Sequence, residues 1–240
     1  MKFYSVAVEE RERVGGYTLL HYRWEGSVEP GQFVMARAVS FPYALDPFLA
    51  RPLSYYDHDD MTASLLFEVR GRGTALLDRA QQIEVTDPLG KGFRIENNGR
   101  AALLGGGIGV APMKILSRRL ETLGIEHNVF LGFADAATAP ISQDFPGASV
   151  ATMDGSAGIR GTVLDAAPHL ERYGAVYACG PDPMLAAVKC AVDGGCQLSV
   201  EERMGCGNGS CNGCVVPIKG RGYIRSCVEG PVFEAEALAW

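Results

Sequence analysis

The sequence is poor in the features that mark several large classes of protein. Among its 240 residues are 22 Lys and Arg against 28 Asp and Glu, a formal net charge of −6, and the basic residues form no block. A nucleic-acid surface needs a concentrated positive field, so that partner is not expected. No uninterrupted apolar run is long enough to span a bilayer, so neither is a membrane. The opening Met1-Lys2-Phe3-Tyr4-Ser5-Val6 lacks the apolar core of an export signal. Histidine is scarce: His21, His58, His127 and His169 are the whole set, and none sits in a recognisable catalytic setting. No catalytic residue is therefore assigned to this chain. Seven cysteines, an odd number, without an export signal point to a reducing cytoplasm and against a disulfide framework. Composition, 47% hydrophobic and 21% charged, is that of a soluble globular enzyme.

What the chain does have is a cysteine quartet. Cys206, Cys211, Cys214 and Cys227 follow a C-x4-C-x2-C-x12-C spacing, inside Cys206-Gly-Asn-Gly-Ser-Cys211-Asn-Gly-Cys214. The first three match the plant-type spacing of a [2Fe–2S] site, whose fourth ligand comes from further along. Gly205, Gly207, Gly209 and Gly213 allow positive φ values and unhindered N–H groups aimed at sulfur. Zinc is the main competitor, but its usual pattern is two ligand pairs, and no His lies beyond His169. Cys179, Cys190 and Cys196 read as free thiols, the last two packed in the core.

Three regions succeed one another. Residues 1–98 read as short β-segments between turns, including Tyr17–Tyr22, Gln32–Ala36 and Ala63–Val69, which suggests a small antiparallel barrel. Residues 99–197 switch to strand, Gly-rich turn and helix, with buried parallel strands at Ala101–Leu104, Val129–Phe133 and Ala175–Cys179. Residues 198–240 hold the cysteine loop. The stretch from Phe41 to Ala50, with two prolines, reads as an irregular loop.

Gly105-Gly106-Gly107-Ile108-Gly109 lies between a strand and a helix opened by Pro112 and running to Gly124, where a pyrophosphate can approach the backbone. It is not a full G-x-G-x-x-G, and Asp135 comes too late for the ribose carboxylate of that motif. A second strand-to-helix turn, Cys179-Gly180-Pro181-Asp182-Pro183-Met184, strengthens the nucleotide reading: two such crevices in one sheet make a ligand edge. In the first region, Arg51-Pro52-Leu53-Ser54 and Gly71-Arg72-Gly73-Thr74 offer a guanidinium and a helix start, with Thr74 near the N-cap, for one diphosphate.

Taken in order, Arg-Pro-x-Ser, Gly-x-Gly-Thr, Pro88-Leu-Gly-x-Gly-Phe93, the glycine run, Cys-Gly-Pro-x-Pro-Met and the cysteine quartet resemble the ferredoxin-reductase superfamily. Ser199 to Cys206 and Cys227 to Phe233 are most similar to the electron-transfer subunits of class 1B dihydroorotate dehydrogenase. The resemblance covers essentially the whole chain. It implies an FAD-binding barrel (1–98), an NAD-binding α/β unit (99–197) and a [2Fe–2S] unit (198–240). It places FAD on Arg51, Pro52, Leu53, Ser54, Leu66, Phe67, Glu68, Gly73 and Thr74. NAD, as substrate, falls to Gly105, Gly106, Gly107, Ile108, Gly109, Cys179, Gly180, Pro181, Asp182 and Met184, and the cluster to Cys206, Cys211, Cys214 and Cys227.

The family commonly has an aromatic–Arg pair where this chain has Phe67-Glu68, with Arg70 two residues on. Asp154-Gly155-Ser156 is similar to the family's acidic turn and carries no Arg for a 2′-phosphate, which favours NAD over NADP. The implied partner is an FMN-containing dihydroorotate dehydrogenase catalytic subunit in a heterotetramer of two of each, in pyrimidine biosynthesis. Two other readings stand beside it. One is a ferredoxin:NAD(P) reductase or hydrogenase-associated diaphorase subunit, although a bifurcating member would be expected to have Asp among its cluster ligands. The other is a zinc- or flavin-binding regulatory module.

Overall fold

A computed structural model describes residues 1–39 and 46–240. The expected 41–50 loop therefore falls partly outside the described residues. The first region is a closed antiparallel barrel of six strands: β1 (Phe3–Val14), β2 (Tyr17–Arg23), β3 (Phe33–Ala38), β4 (Arg51–His58), β5 (Thr62–Glu68) and β6 (Gln82–Thr86), in the order β1-β2-β5-β4-β3-β6. Helix α1 (Arg72–Leu77) bridges β5 and β6. Arg51–Ser54 forms the start of β4.

Strand alternation explains why several barrel strands read as unbroken apolar runs. In β3, Val34 and Ala36 enter the barrel core beside Leu20, Tyr55, Leu65 and Phe67. Phe33 and Met35, on the opposite face, pack outside against Cys214 and Cys227. In β5, Leu65 and Phe67 point in while Leu66 joins a core shared with the second unit. Both faces are covered, so both are apolar. Each of the Val, Leu, Phe and Met side chains among them contributes about 1.5–3 kcal/mol by leaving water.

The second unit is a seven-stranded sheet built on parallel strands. Its members are β7 (Ala101–Gly106), β8 (His127–Phe133), β9 (Ser149–Thr152), β10 (Ile159–Arg160), β11 (Ala175–Cys179), β12 (Cys196–Ser199) and, antiparallel at one edge, β15 (Val232–Glu234). The order β10-β9-β8-β7-β11-β12-β15 reverses direction between β7 and β11, which creates a crevice at their carboxyl ends. Helices α2 (Ala111–Thr122), α3 (Val163–Ala166) and α4 (Asp182–Ala191) cover it. A 3-10 turn over Gly107–Val110 precedes α2, so Pro112 lies in its first turn, and Gly124 follows with φ 69° as a C-terminal stop.

Between β12 and β15 the chain leaves the sheet to form the cysteine loop, the hairpin β13 (Val215–Ile218) and β14 (Gly222–Arg225), and the single turn α5 (Ser226–Glu229). Ser199 then pairs with Val232, which brings the excursion back to the sheet. The four histidines make local contacts: His21 Nδ1 with Ser64 Oγ, His127 Nε2 with Ser117 Oγ, His58 Nε2 with the Trp24 carbonyl and His169 with Glu171. Cys196 is buried as expected, but Cys190 is exposed because it falls on the outer face of α4.

Candidate functional site

A cleft of about 250 Å³ opens where the barrel, the parallel sheet and the cysteine segment meet. Arg51, Pro52, Leu53, Ser54, Leu66, Phe67, Glu68 and Thr74 line it from the barrel, with Ile108 and Cys179 from the crevice of the sheet. The apolar surfaces suit a flat aromatic ring, and Arg51 with the α1 turn supplies the charged end. Gly73 does not itself line the cleft. It is the residue on which Arg51 rests, since a Cβ there would stand 2.2 Å from Arg51 Nε. Thr74 is at the third helical position of α1, not the N-cap, which is Gly71. Its Oγ accepts hydrogen bonds from the Arg70 and Gly71 amides at 3.0 and 3.2 Å, closing the turn from within.

The two turns of the crevice interlock. A Cβ on Gly106 would meet Met184 Sδ at 2.2 Å, and one on Gly180 would meet it at 2.7 Å. One on Gly109 would meet the Cys179 carbonyl oxygen at 2.2 Å. Gly107, by contrast, has φ 54° with open space above it. Gly106, Gly109 and Gly180 thus serve close packing of the two turns, and of these four glycines Gly107 alone leaves open space over its backbone. Asp182 opens α4 after Pro181, and its negative charge acts on Glu201 and Glu202.

Sequence reasoning missed Ala111 beside Ile108 and one wall of the cleft: Phe33, Arg70, Ser199, Val200, Glu201, Glu202, Met204 and Pro231. Glu201 and Met204 lie in the Ser199–Cys206 stretch that carried the resemblance, but no local pattern says that they face a cavity. Arg70 pairs with Glu68 at 2.7 Å. Glu201 keeps solvent contact through the cleft, yet surrounding protein lifts its carboxyl above the ordinary range; Arg70 opposes this, while Asp182 and Glu68 reinforce it. Burial, aided by Glu201, pushes the Cys179 thiol up to about 12 despite a hydrogen bond with Ser199.

At the outer end of the crevice, Asp154 accepts a 2.6 Å hydrogen bond from Ser156 Oγ, and Ser156 Oγ accepts one from the Ala136 amide. The acidic turn after β9 is thus stitched to the turn after β8. The turn itself carries no arginine, but one lies beside it. Arg160, brought alongside by β10, packs over Gly155, where a Cβ would stand 3.0 Å from the Arg160 side chain.

The cysteines sit behind the missed wall. One tetrahedral zinc needs four sulfurs within about 3.8 Å of one another, given a Zn–S distance of about 2.3 Å. Among the described residues no three cysteine sulfurs lie mutually within 4.8 Å. The thiols instead form two pairs. Cys206 Sγ accepts a hydrogen bond from the Cys211 amide at 3.4 Å. Cys214 Sγ accepts a hydrogen bond from the Cys227 amide at 3.5 Å. Two pairs suit two irons, so the donor set fits a [2Fe–2S] cluster better than a single zinc ion.

Gly207 and Gly209 take the expected positive φ, 70° and 83°. Gly205 and Gly213 do not; Gly213 instead donates its amide to Cys211 Sγ at 3.4 Å, and Asn212 carries the left-handed kink. The pairs differ in setting. Burial disfavours the Cys206 thiolate, but the Asn208, Cys211 and Ser210 amides outweigh it and lower its pKa to about 6. Cys214 and Cys227 are both 2% exposed, and burial with the Cys214 neighbour pushes Cys227 up to about 12. That inner pair rests on Phe33 and Met35 of the barrel, with Met204 against the same cluster.

Comparison with known proteins is consistent with this arrangement. Residues 201–239 match the model of the iron–sulfur cluster binding domain of dihydroorotate dehydrogenase B. Among solved structures, that of an NADH-dependent reduced ferredoxin-NADP oxidoreductase, studied for flavin-based electron bifurcation, matches with a TM-score of 0.84. It has 25% identity, over 98% of this chain and 90% of that one. Phthalate dioxygenase reductase shares the fold, with a TM-score of 0.68 over 94% of each chain at 13% identity. The electron transfer subunit of dihydroorotate dehydrogenase B (NAD(+)) from Geobacillus thermodenitrificans is 40% identical over 225 residues, 86% of this chain and 85% of the relative. That from Clostridium acetobutylicum is 36% identical over 230 residues, 93% of this chain and 91% of the relative. Identity at this level, spread over barrel, sheet and cysteine segment alike, means that the chain belongs to the family of dihydroorotate dehydrogenase B (NAD(+)) electron transfer subunits.

Proposed function

We propose that this chain carries electrons from the FMN of a dihydroorotate dehydrogenase catalytic chain to NAD+, using a [2Fe–2S] cluster and FAD, in pyrimidine biosynthesis. Nicotinamide exchanges electrons in pairs as hydride, the cluster singly, and a flavin either way, which places the flavin between them. The observation that carries the reading is a shared wall. Phe33 and Met204 line the cleft on one side and pack with Cys214 and Cys227 on the other.

The residues divide the work accordingly. Arg51 and the α1 turn built by Gly73 and Thr74 hold the FAD diphosphate, while Pro52, Leu53, Leu66 and Phe67 exclude water from the ring, and Ser54 and Glu68 present polar atoms at its rim. Gly105 to Gly109 and Cys179 to Met184 hold the nicotinamide nucleotide. Cys206, Cys211, Cys214 and Cys227 hold the cluster, the first pair facing solvent and the second facing the flavin. The corresponding units are 1–98, 99–197 and 198–240. The dihydroorotate site lies on the partner, in a cytoplasmic heterotetramer of two of each chain.

The test is anaerobic capture of partners by the tagged chain, followed by an assay of dihydroorotate-dependent NAD+ reduction. Recovery of an FMN-containing dehydrogenase chain, with NADH formation lost in Cys211→Ser, supports the proposal. The likeness to the ferredoxin-NADP oxidoreductase supports a second reading, a reductase subunit serving another electron carrier. Capture of a different oxidoreductase, with cofactors intact and no dihydroorotate activity, would favour that one.

A further inference from the structure

Ser226 is fully buried, and its hydroxyl has no hydrogen-bond partner within the protein. Among the described residues three other buried side-chain atoms share that condition: Arg11 Nε, His21 Nε2 and Trp24 Nε1. All three belong to barrel residues that keep some solvent exposure. Ser226 is different in kind. Its amide donates to the Cys214 carbonyl at 2.8 Å, and its own carbonyl accepts from the Gly230 amide at 3.0 Å. Its backbone is therefore satisfied on both sides, and the next residue is Cys227, bonded in turn to Cys214 Sγ. The orphan hydroxyl thus belongs to the residue whose backbone joins the two inner cysteines. A buried hydroxyl without a partner is costly, and a serine held in such a place is explained by an acceptor that the polypeptide does not supply.

We propose that the Ser226 hydroxyl donates a hydrogen bond to a sulfur of the cluster, on its Cys214–Cys227 side, and thereby raises the cluster's reduction potential. The inference rests on the reading of the four cysteines as [2Fe–2S] ligands. The other donors at the thiols are backbone amides, among them those of Cys211, Gly213 and Cys227. A side-chain donor can be changed without disturbing the loop. Reduction adds one electron and so one negative charge, and no bond is made or broken at Ser226. A hydrogen bond to sulfur favours the more negative state, so it shifts the one-electron equilibrium towards reduction. Ser226 is a positioning and tuning residue here, not a catalytic one.

The experiment is an EPR-monitored redox titration of the complete complex, wild type against Ser226→Ala. The expected result is a cluster with its spectrum retained and its reduction equilibrium weakened about tenfold, equivalent to about 59 mV for a one-electron couple. The FAD potential, read in the same titration, stays in place. Because alanine at a buried site can impair cluster loading, the near-isosteric pair Ser226→Thr and Ser226→Val provides a second comparison. Thr, which keeps the hydroxyl, is to follow wild type, and Val is to show the shift or lose the cluster. In resonance Raman spectra, the deuterium-induced shift of the Fe–S modes is to shrink in Ser226→Ala. An unchanged cluster potential in Ser226→Ala, or identical behaviour of Thr and Val, overturns the proposal. Wild-type protein without a [2Fe–2S] signal would instead sink the cluster reading beneath it.

Discussion

Gly107 and Gly109 stand two residues apart in one turn, yet replacing each with alanine should fail for a different reason. At Gly109 a Cβ would lie 2.2 Å from the Cys179 carbonyl oxygen, 2.4 Å from its carbon and 2.6 Å from the Gly180 nitrogen. All three are backbone atoms in the opposing turn, so no side chain can swing away. Relief requires the β7 and β11 turns to part, an overpacking cost of about 1–3 kcal/mol. At Gly107 the space is open, and alanine meets only the left-handed φ of 54°, a cost of about 1–2 kcal/mol. For a chain of this size each kcal/mol lowers the melting temperature by about 2–4 °C. Gly109→Ala should therefore lose about 2–12 °C and Gly107→Ala about 2–8 °C, measured by scanning calorimetry on the FAD-loaded protein. NAD+ affinity, measured by calorimetric titration, should drop more in Gly109→Ala, because there the crevice itself widens. FAD content should hold in both, since neither glycine lines the barrel. A Gly109→Ala protein with wild-type melting and wild-type NAD+ affinity, or one less affected than Gly107→Ala, would refute the interlocked-turn argument.

Three further outcomes follow from the same geometry. At pH 8, iodoacetamide should modify exposed Cys190 quickly, whereas buried Cys179 and Cys196, both pushed up to about 12, should react only on unfolding; peptide mass spectrometry reads the order. For the same two thiols the unfolded chain loses protons near the ordinary value of 9.0 while the folded chain keeps them, so stability should fall as pH rises from about 9 towards 12, as urea midpoints would show. Arg51→Ala should lower FAD content at unchanged iron content, and Cys214→Ser should do the reverse, with paired flavin and iron assays of each variant separating the two sites.

The barrel and the parallel sheet were legible in the sequence because apolar runs of strand length alternate there with Gly and Pro punctuation. The cysteine pattern was legible because ligand spacing is local. The cleft was only half legible. Arg51 and Ser54 belong to a short motif, but Phe33, Met204 and Pro231 reach it only because β3, the cysteine segment and the approach to β15 converge in space. Arg160 shows the same limit: parallel pairing, not sequence distance, sets it beside Gly155. The orphan hydroxyl of Ser226 has no sequence signal, since a serine before a cysteine is unremarkable until its surroundings are known.

The antiparallel pairing of β15 with β12 has a consequence for how electrons can be handled. Residues 200–231, cysteines included, form an excursion whose two ends are fastened side by side in one sheet. Closing a loop of roughly thirty residues costs about 3 kcal/mol of chain entropy, and here the sheet bears that cost before any iron arrives. A redox module on a flexible tether must search for its acceptor at each delivery. This one is moored at both ends, so its distance to the neighbouring cleft is a property of the fold rather than of a diffusive encounter.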